Sequence, residues 1–283
     1  MRRRFSRVTV LAGIILLCAL AGVTACSKVH VPSVDLNAFS VWIGIAEPPA
    51  PPPVAVDIVC DPTDGAPCTS DLLRAQLHAV LVATAGRPGS FVRAWVLGTD
   101  ITGLQLIAIQ TSPALTSTHS ARATALARER FVATADVYFA KAFESVFDRP
   151  APRRSLLAES MTRVAWADVP PNMQRILICL TDGREYSHFA DMECRPIPNP
   201  EAFTAAVQRE HVLGPGSLHG TVIALAGFDL TPMHDRPCPV TIAKADEIRT
   251  VWRHVLLHAG ASSVTFHTGI ADPDQLLSSK EAR

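Results

Sequence analysis

The chain has 283 residues, in which 26 Lys and Arg are balanced by 26 Asp and Glu, and 48% of its residues are hydrophobic. That length and apolar content suit one large domain with a leader. The balanced charge supplies neither the basic surface that nucleic acid requires nor one that would draw the chain to an acidic membrane.

Residues 1–25 read as a processing signal rather than as fold. Arg2, Arg3, Arg4 and Arg7 make a basic start, VTVLAGIILLCALAGV is a 16-residue apolar run, and VTAC places small residues directly before Cys26. The run is short for a membrane-spanning helix. The pattern resembles the lipobox of bacterial lipoproteins, which implies cleavage before Cys26 and a lipid on its thiol, diacylglycerol with palmitate-type chains. Two acyl chains anchor a protein stably to a membrane. Ser27 after the cysteine implies, by the same resemblance, an outer membrane location facing the periplasm.

Residues 26–53 form a tether ending in EPPAPPP, whose prolines favour extended polyproline II. Within it, AFSVWIGIA is apolar enough to add a strand to the domain. Residues 54–270 then alternate short β-type runs with helical patterns, the signature of an α/β domain with a largely parallel sheet. VAVDIVC (54–60) is the first strand, and a helix follows with Thr69 or Ser70 as its N-cap. FVRAWVL (91–97) and LQLIAI (104–109) are joined by a link too short for a crossover helix, so they pair antiparallel.

A long helix is expected over about 119–147, with Phe139, Phe143, Val146 and Phe147 as its stripe. SLLAESMTRVAWA opens another, with Ser155 as N-cap. RILICLT (175–181) is a buried strand, Asn199-Pro200-Glu201 starts a helix to about Val212, and TVIALAGF (221–228) is again a strand. The last helix carries Ile248, Val251, Trp252, Val255 and Leu256 on one face and stops at Gly260; SVTFHTG is the last strand, and residues 271–283 are a polar tail. Right-handed crossovers then give a three-layer, doubly wound, mostly parallel six-stranded sheet of order 3-2-1-4-5-6 with strand 3 antiparallel. Ligands of such sheets settle where the winding reverses, beyond the carboxyl ends of strands 1 and 4.

Asp61 follows strand 1 and Asp182 follows strand 4, so two carboxylates face one crevice, with the hydroxyls of Thr63 and Ser155 near the same rim. DIVCDPTDG and ILICLTDGRE, in this strand order, resemble the von Willebrand factor type A family over about residues 54–270. The family's metal-dependent adhesion site uses Asp-x-Ser-x-Ser after strand 1, a Thr opening a later helix, and the Asp of a Thr-Asp-Gly turn. By position, Asp61 matches the first motif residue, Thr63 stands for the first serine, Ser155 for the threonine, and Asp182 for the last ligand. Gly65 holds the second serine's place and supplies no oxygen. The resemblance implies a protein-binding module, within an envelope or a secretion or conjugation assembly, with Mg²⁺ or Mn²⁺ meeting an acidic residue of the partner. A water or Asp64 would make up the missing oxygen; alternatively, Arg153 and Arg154 supply fixed positive charge and no cation is bound.

Cleavage removes Cys18 and the lipid occupies Cys26, leaving Cys60, Cys68, Cys179, Cys194 and Cys238, an odd number. Cys68, Cys194 and Cys238 fall in loops at the crevice end of the sheet. Either two of them pair, Cys194 with Cys238 first, or all three are thiols; Cys60 and Cys179 read as small buried strand residues.

His254 and His258 are four apart on a helix, but HVLLH lacks the glutamate of a zinc protease motif. His234, Asp235 and Cys238 form one short cluster of zinc-ligand types. GPGSLHG is not a nucleophile elbow. Thr63 stands where an aspartyl-phosphate enzyme of the haloacid dehalogenase type has its second Asp, and no glycine-rich phosphate loop follows strand 1. Binding is therefore favoured over catalysis, with periplasmic metal-assisted hydrolysis through Asp61 and Asp182 as the alternative.

Overall fold

The computed structural model describes residues 50–63, 68–98, 104–113, 121–147, 152–228, 238 and 241–278. The chain divides into two units, Met1–Pro49 and Ala50–Arg283, and every described residue belongs to the second. Cys26 and the AFSVWIGIA segment lie outside the described residues.

Strands β1 (Val54–Cys60), β2 (Phe91–Val96), β3 (Gln105–Thr111), β4 (Gln174–Leu180), β5 (Val222–Ala226) and β6 (Ser263–His267) form one sheet of order β3-β2-β1-β4-β5-β6. All neighbours run parallel except β2 and β3, which pair antiparallel with a register shift between Ala94 and Trp95. This is the doubly wound order expected from the sequence. β1 and β4 lie side by side, Cys60 opposite Leu180, so the residues that follow them emerge together.

Side chains of a strand alternate between faces, and the two cores follow that rule. Val54, Val56 and Ile58 pack with helices α1 (Ser70–Thr84), α2 (Ala121–Phe147) and α6 (Pro273–Ser278). Val59, Leu177, Cys179, Ile223 and Leu225 pack with α3 (Leu157–Trp166), α4 (Pro200–Arg209) and α5 (Ile242–His258). Three helices start where the sequence supplies a cap: the side chains of Thr69, Asn199 and Thr241 accept from the backbone N–H of Leu72, Ala202 and Lys244. Helix α5 stops before Gly260, whose φ of +96° is the left-handed conformation that closes such ends.

Two expectations change. Ser155 does not cap α3: Leu156 holds the cap position without a side-chain bond, because the Ser155 hydroxyl is committed elsewhere. The segment after β6 is not merely a polar tail, since Leu276 and Leu277 of α6 are buried in the core and Gln76 exchanges two hydrogen bonds with the backbone of Ala271. Its apolar Leu-Leu pair suffices to dock an otherwise polar turn.

Asp57 shares the α3 face with Val59 and Asp61, and it is buried. Its carboxylate accepts from Arg93 Nε (2.7 Å) and Nη2 (2.9 Å), from Trp95 Nε1 (2.8 Å) and from Arg175 Nε (3.3 Å). Arg175 in turn donates to the carbonyls of Val164, Ala165 and Ala167, and Arg93 to that of Asp168. Arg175 thus satisfies the carbonyls at the end of α3, where a cation also suits the helix dipole, and Arg93 holds the chain just beyond it. Removing the shared acid would leave two buried cations unpaired, which is strongly destabilising. Urea unfolding of Asp57→Ala is expected to show a loss of about 3–5 kcal/mol, larger than that of the exposed-pair variant Asp246→Ala.

Candidate functional site

Asp61 leaves β1 with its backbone N–H bonded to the Leu180 carbonyl of β4 (3.1 Å), and its side chain is 0% exposed. A buried carboxylate is tolerable only if its lone pairs are filled. Here Oδ1 accepts from Thr63 Oγ1 (2.8 Å) and Thr63 N (3.2 Å), while Oδ2 accepts from Ser155 Oγ (2.6 Å) and Thr181 Oγ1 (3.0 Å). Burial raises the pKa of Asp61 above the ordinary carboxyl value, the charge of Asp182 adds to that rise, and the three hydroxyl bonds oppose it.

The Thr-Asp-Gly turn divides its work. Thr181 serves Asp61 and also accepts from Gly183 N (3.1 Å). Asp182 turns the other way: its Oδ1 accepts from Arg184 N (3.0 Å), and its Oδ2 from Arg184 Nε (2.7 Å) and Nη2 (2.6 Å). Gly183 has φ +76°, and a Cβ there would lie 2.4 Å from the Phe228 ring, so no larger residue fits. Its carbonyl accepts from Trp252 Nε1 (2.6 Å), which ties the turn to α5.

Asp61, Thr63, Ser155 and Asp182 therefore converge, and a cavity of about 40 Å³ opens at the rim, lined by Thr63, Ser155 and Asp182 with Arg153, Arg184, Tyr186 and Glu193; Asp61 itself is buried and does not line it. Mg²⁺ requires oxygens with lone pairs to give. All four carboxylate oxygens of Asp61 and Asp182 already accept from protein donors, and the Arg184 guanidinium places a fixed positive charge on Asp182. Thr63 and Ser155 donate their hydrogens inward, leaving only neutral lone pairs toward the cavity. The filled, buried carboxylate of Asp61 and the arginine held on Asp182 count against a divalent cation here. Gly65 and Asp64 lie outside the described residues.

Behind the rim, Glu185 is fully buried, and its Oε2 accepts from Ala158 N (3.0 Å) in the first turn of α3. It takes the capping role that Ser155 gives up. Burial first, and the neighbouring Glu159 second, push the Glu185 carboxyl well above its ordinary range; burial also raises Glu159. His188 stands 3.9 Å from Glu159 and 3.0 Å from Glu210, and its hydrogen bond draws the Glu210 carboxyl down.

Among the cysteines, Cys194 is bonded to Cys238, which joins the loops after β4 and β5. Cys60 is not a simple buried thiol: it is bonded to Cys68 across the loop that carries Asp61 and Thr63, while Cys179 is free and buried. An end-of-strand cysteine can reach the following loop, and the strand pattern concealed that pairing. The bond on Cys238 removes it from any zinc cluster, and His234 and Asp235 lie outside the described residues. His258 meets Gln208 Nε2 at 2.8 Å, and no group of three metal-ligand side chains occurs among the described residues. Arg154 is exposed and does not line the cavity. Sequence reasoning missed Arg184 and Glu185. Neither had a local signal, because the chain leaves β4 at Leu180 and turns at Gly183 before reaching them.

No protein-family model and no curated protein matches the chain. Among solved structures, it is similar to the conserved hypothetical protein BatB from Bacteroides thetaiotaomicron, at 14% identity and a TM-score of 0.38 over 78% of this chain and 93% of that one. A von Willebrand factor type A protein from Catenulispora acidiphila matches at 15% identity and a TM-score of 0.35, over 80% of this chain and 40% of that one. The pilus adhesin SpaC from Lactobacillus rhamnosus GG matches at 10% identity and a TM-score of 0.41, over 81% of this chain and 29% of that one. The chain thus spans less than half the length of the last two. Its fold is defined by the strand order and register given above.

The raised carboxyl of Glu185 sets a pH dependence. A group that binds its proton more tightly in the folded state stabilises fully below its unfolded value of 4.5, and that stabilisation is lost as pH rises through the folded value. Unfolding free energies measured from pH 4 upward are expected to decline for the wild type and to decline less for Glu185→Gln, which keeps an acceptor for Ala158 N.

Proposed function

We propose that the chain is a lipoprotein, anchored through lipid on Cys26 to the outer membrane and facing the periplasm, whose α/β domain is a protein-binding module. Its binding face is the rim at the carboxyl ends of β1 and β4. The observation that carries this reading is the meeting of Asp61 and Asp182, 121 positions apart in sequence, at the point where the sheet reverses its winding. Such points are where doubly wound sheets take their ligands. The two disulfides brace loops around that rim and suit an oxidising compartment.

The rim is built for recognition rather than turnover. Asp61 is buried and filled by three hydroxyls and a backbone N–H, and Asp182 is held in an ion pair with Arg184, so neither is poised to activate water. A partner within an envelope, secretion or conjugation assembly fits a rigid, tethered face of this kind.

Two measurements test the reading. Labelled palmitate is expected to enter the full-length chain and to fractionate with membranes, and both should be lost in Cys26→Ser. A photo-reactive residue replacing Arg153 on the rim should capture a discrete envelope protein in cells, whereas one replacing Asn172, before β4 at the far end of the sheet, should not. Capture from position 172 alone, or from neither, would remove the rim from the account.

A further inference from the structure

We infer that the groove between the loop 196–200 and helix α5 is a second contact for the protein partner, built to take an arginine side chain presented on an apolar segment. This rests on the proposal that the domain is a protein-binding module. The groove encloses about 570 Å³, the size of a small-ligand cleft, and shares no lining residue with the rim cavity. One loop nevertheless serves both, since Glu193 lines the rim and Pro196, three residues on, lines the groove.

One wall is Pro196-Ile197-Pro198-Asn199-Pro200. Proline fixes φ and carries no N–H, so this wall is set in advance, and three of its five residues lack a backbone donor. The carbonyls of Pro196, Ile197 and Pro198 accept no hydrogen bond among the described residues. The wall is held at both ends: Cys194, two residues before it, is bonded to Cys238, and Asn199 caps α4 through Ala202 N. Across from it, α5 contributes Asp246, Glu247, Thr250 and the buried Val251. The Thr250 hydroxyl commits its hydrogen to the Asp246 carbonyl (2.7 Å). Acceptors therefore outnumber donors along the groove.

The group that matches such a lining brings donors, positive charge and an apolar stem. A guanidinium has five N–H donors and no acceptor, and the methylenes of an arginine lie well against Ile197, Val251 and proline rings while its head meets a carboxylate. Among the described residues, no cation lines the groove. Asp246 is held by Arg249 at 2.7 Å, and Lys244, which lies in the field of Glu247, donates its Nζ to the Glu193 carbonyl (2.7 Å). Glu247 is exposed and has no ion pair among the described residues, so it is the acid that an incoming guanidinium meets. A carboxylate in the same place would face two like charges and few donors.

The test is a titration of the ¹⁵N-labelled full chain in detergent with N-acetyl-leucyl-arginine amide, against the citrulline peptide, which keeps the shape and lacks the charge. The backbone N–H signals of Glu247 and Val251 are expected to shift saturably with the arginine peptide and not with the citrulline one. Glu247→Gln, an exposed change, should weaken binding about tenfold, the effect of losing one charge-assisted contact. Thr250→Trp, which fills the groove from an exposed position, should abolish it. An absent shift, an equal shift with citrulline, or binding untouched by both variants overturns the inference. The two readings fail separately: saturable arginine binding without capture from position 153 would count against the rim alone, and capture without arginine binding against the groove alone.

Discussion

One buried carboxylate organises the working end of this domain. Asp61 sits fully inside the protein at the end of β1, and a charge in that position persists only while donors surround it. The donors come from three places: Thr63 on its own loop, Thr181 at the end of β4, and Ser155 in the segment entering α3. The need to satisfy Asp61 therefore fixes two loops and a helix entry relative to one another. It also explains why Ser155 is not a cap and why a buried glutamate from the turn after β4 replaces it.

Helix α3 is consequently gripped at both ends. Asp57, four residues before Asp61 and on the same face of the chain, holds Arg175, which binds the terminal carbonyls of α3, and Arg93, which binds the Asp168 carbonyl just beyond it. Glu185 and Ser155 hold its start. Asp57 in β1 and Asp61 just after it are thus spent on placing one helix, and the rim beside it is preorganised. A face of this kind loses little conformational entropy when it binds. The Cys60–Cys68 and Cys194–Cys238 bonds restrict the neighbouring loops in the same sense.

The sheet order was legible because alternation, apolar strand runs and link lengths are local signals, and the short link between Leu97 and Leu104 allowed only an antiparallel pair. Asp61, Thr63, Ser155 and Asp182 were legible as neighbours because topology brings the ends of β1 and β4 together. What each does there was not legible. Whether Ser155 caps a helix or feeds a carboxylate depends on a contact between residues 94 positions apart. Cys60 read as core because strand periodicity places it inside, and nothing local tells a buried thiol from a buried disulfide. Leu276 and Leu277 were too short an apolar run to announce a docked turn.

Arg184 decides the chemistry of the rim. In the resemblance to von Willebrand type A domains, the last aspartate serves a cation; here both of its oxygens serve an arginine instead. The rim thereby carries fixed positive charge against Asp182. The most direct measurement is the melting temperature of the full-length chain with millimolar Mg²⁺ or Mn²⁺ against EDTA, since a ligand of the native state must raise it. The account predicts coincident curves for the wild type. A saturable rise in the wild type that disappears in Asp182→Ala would contradict it.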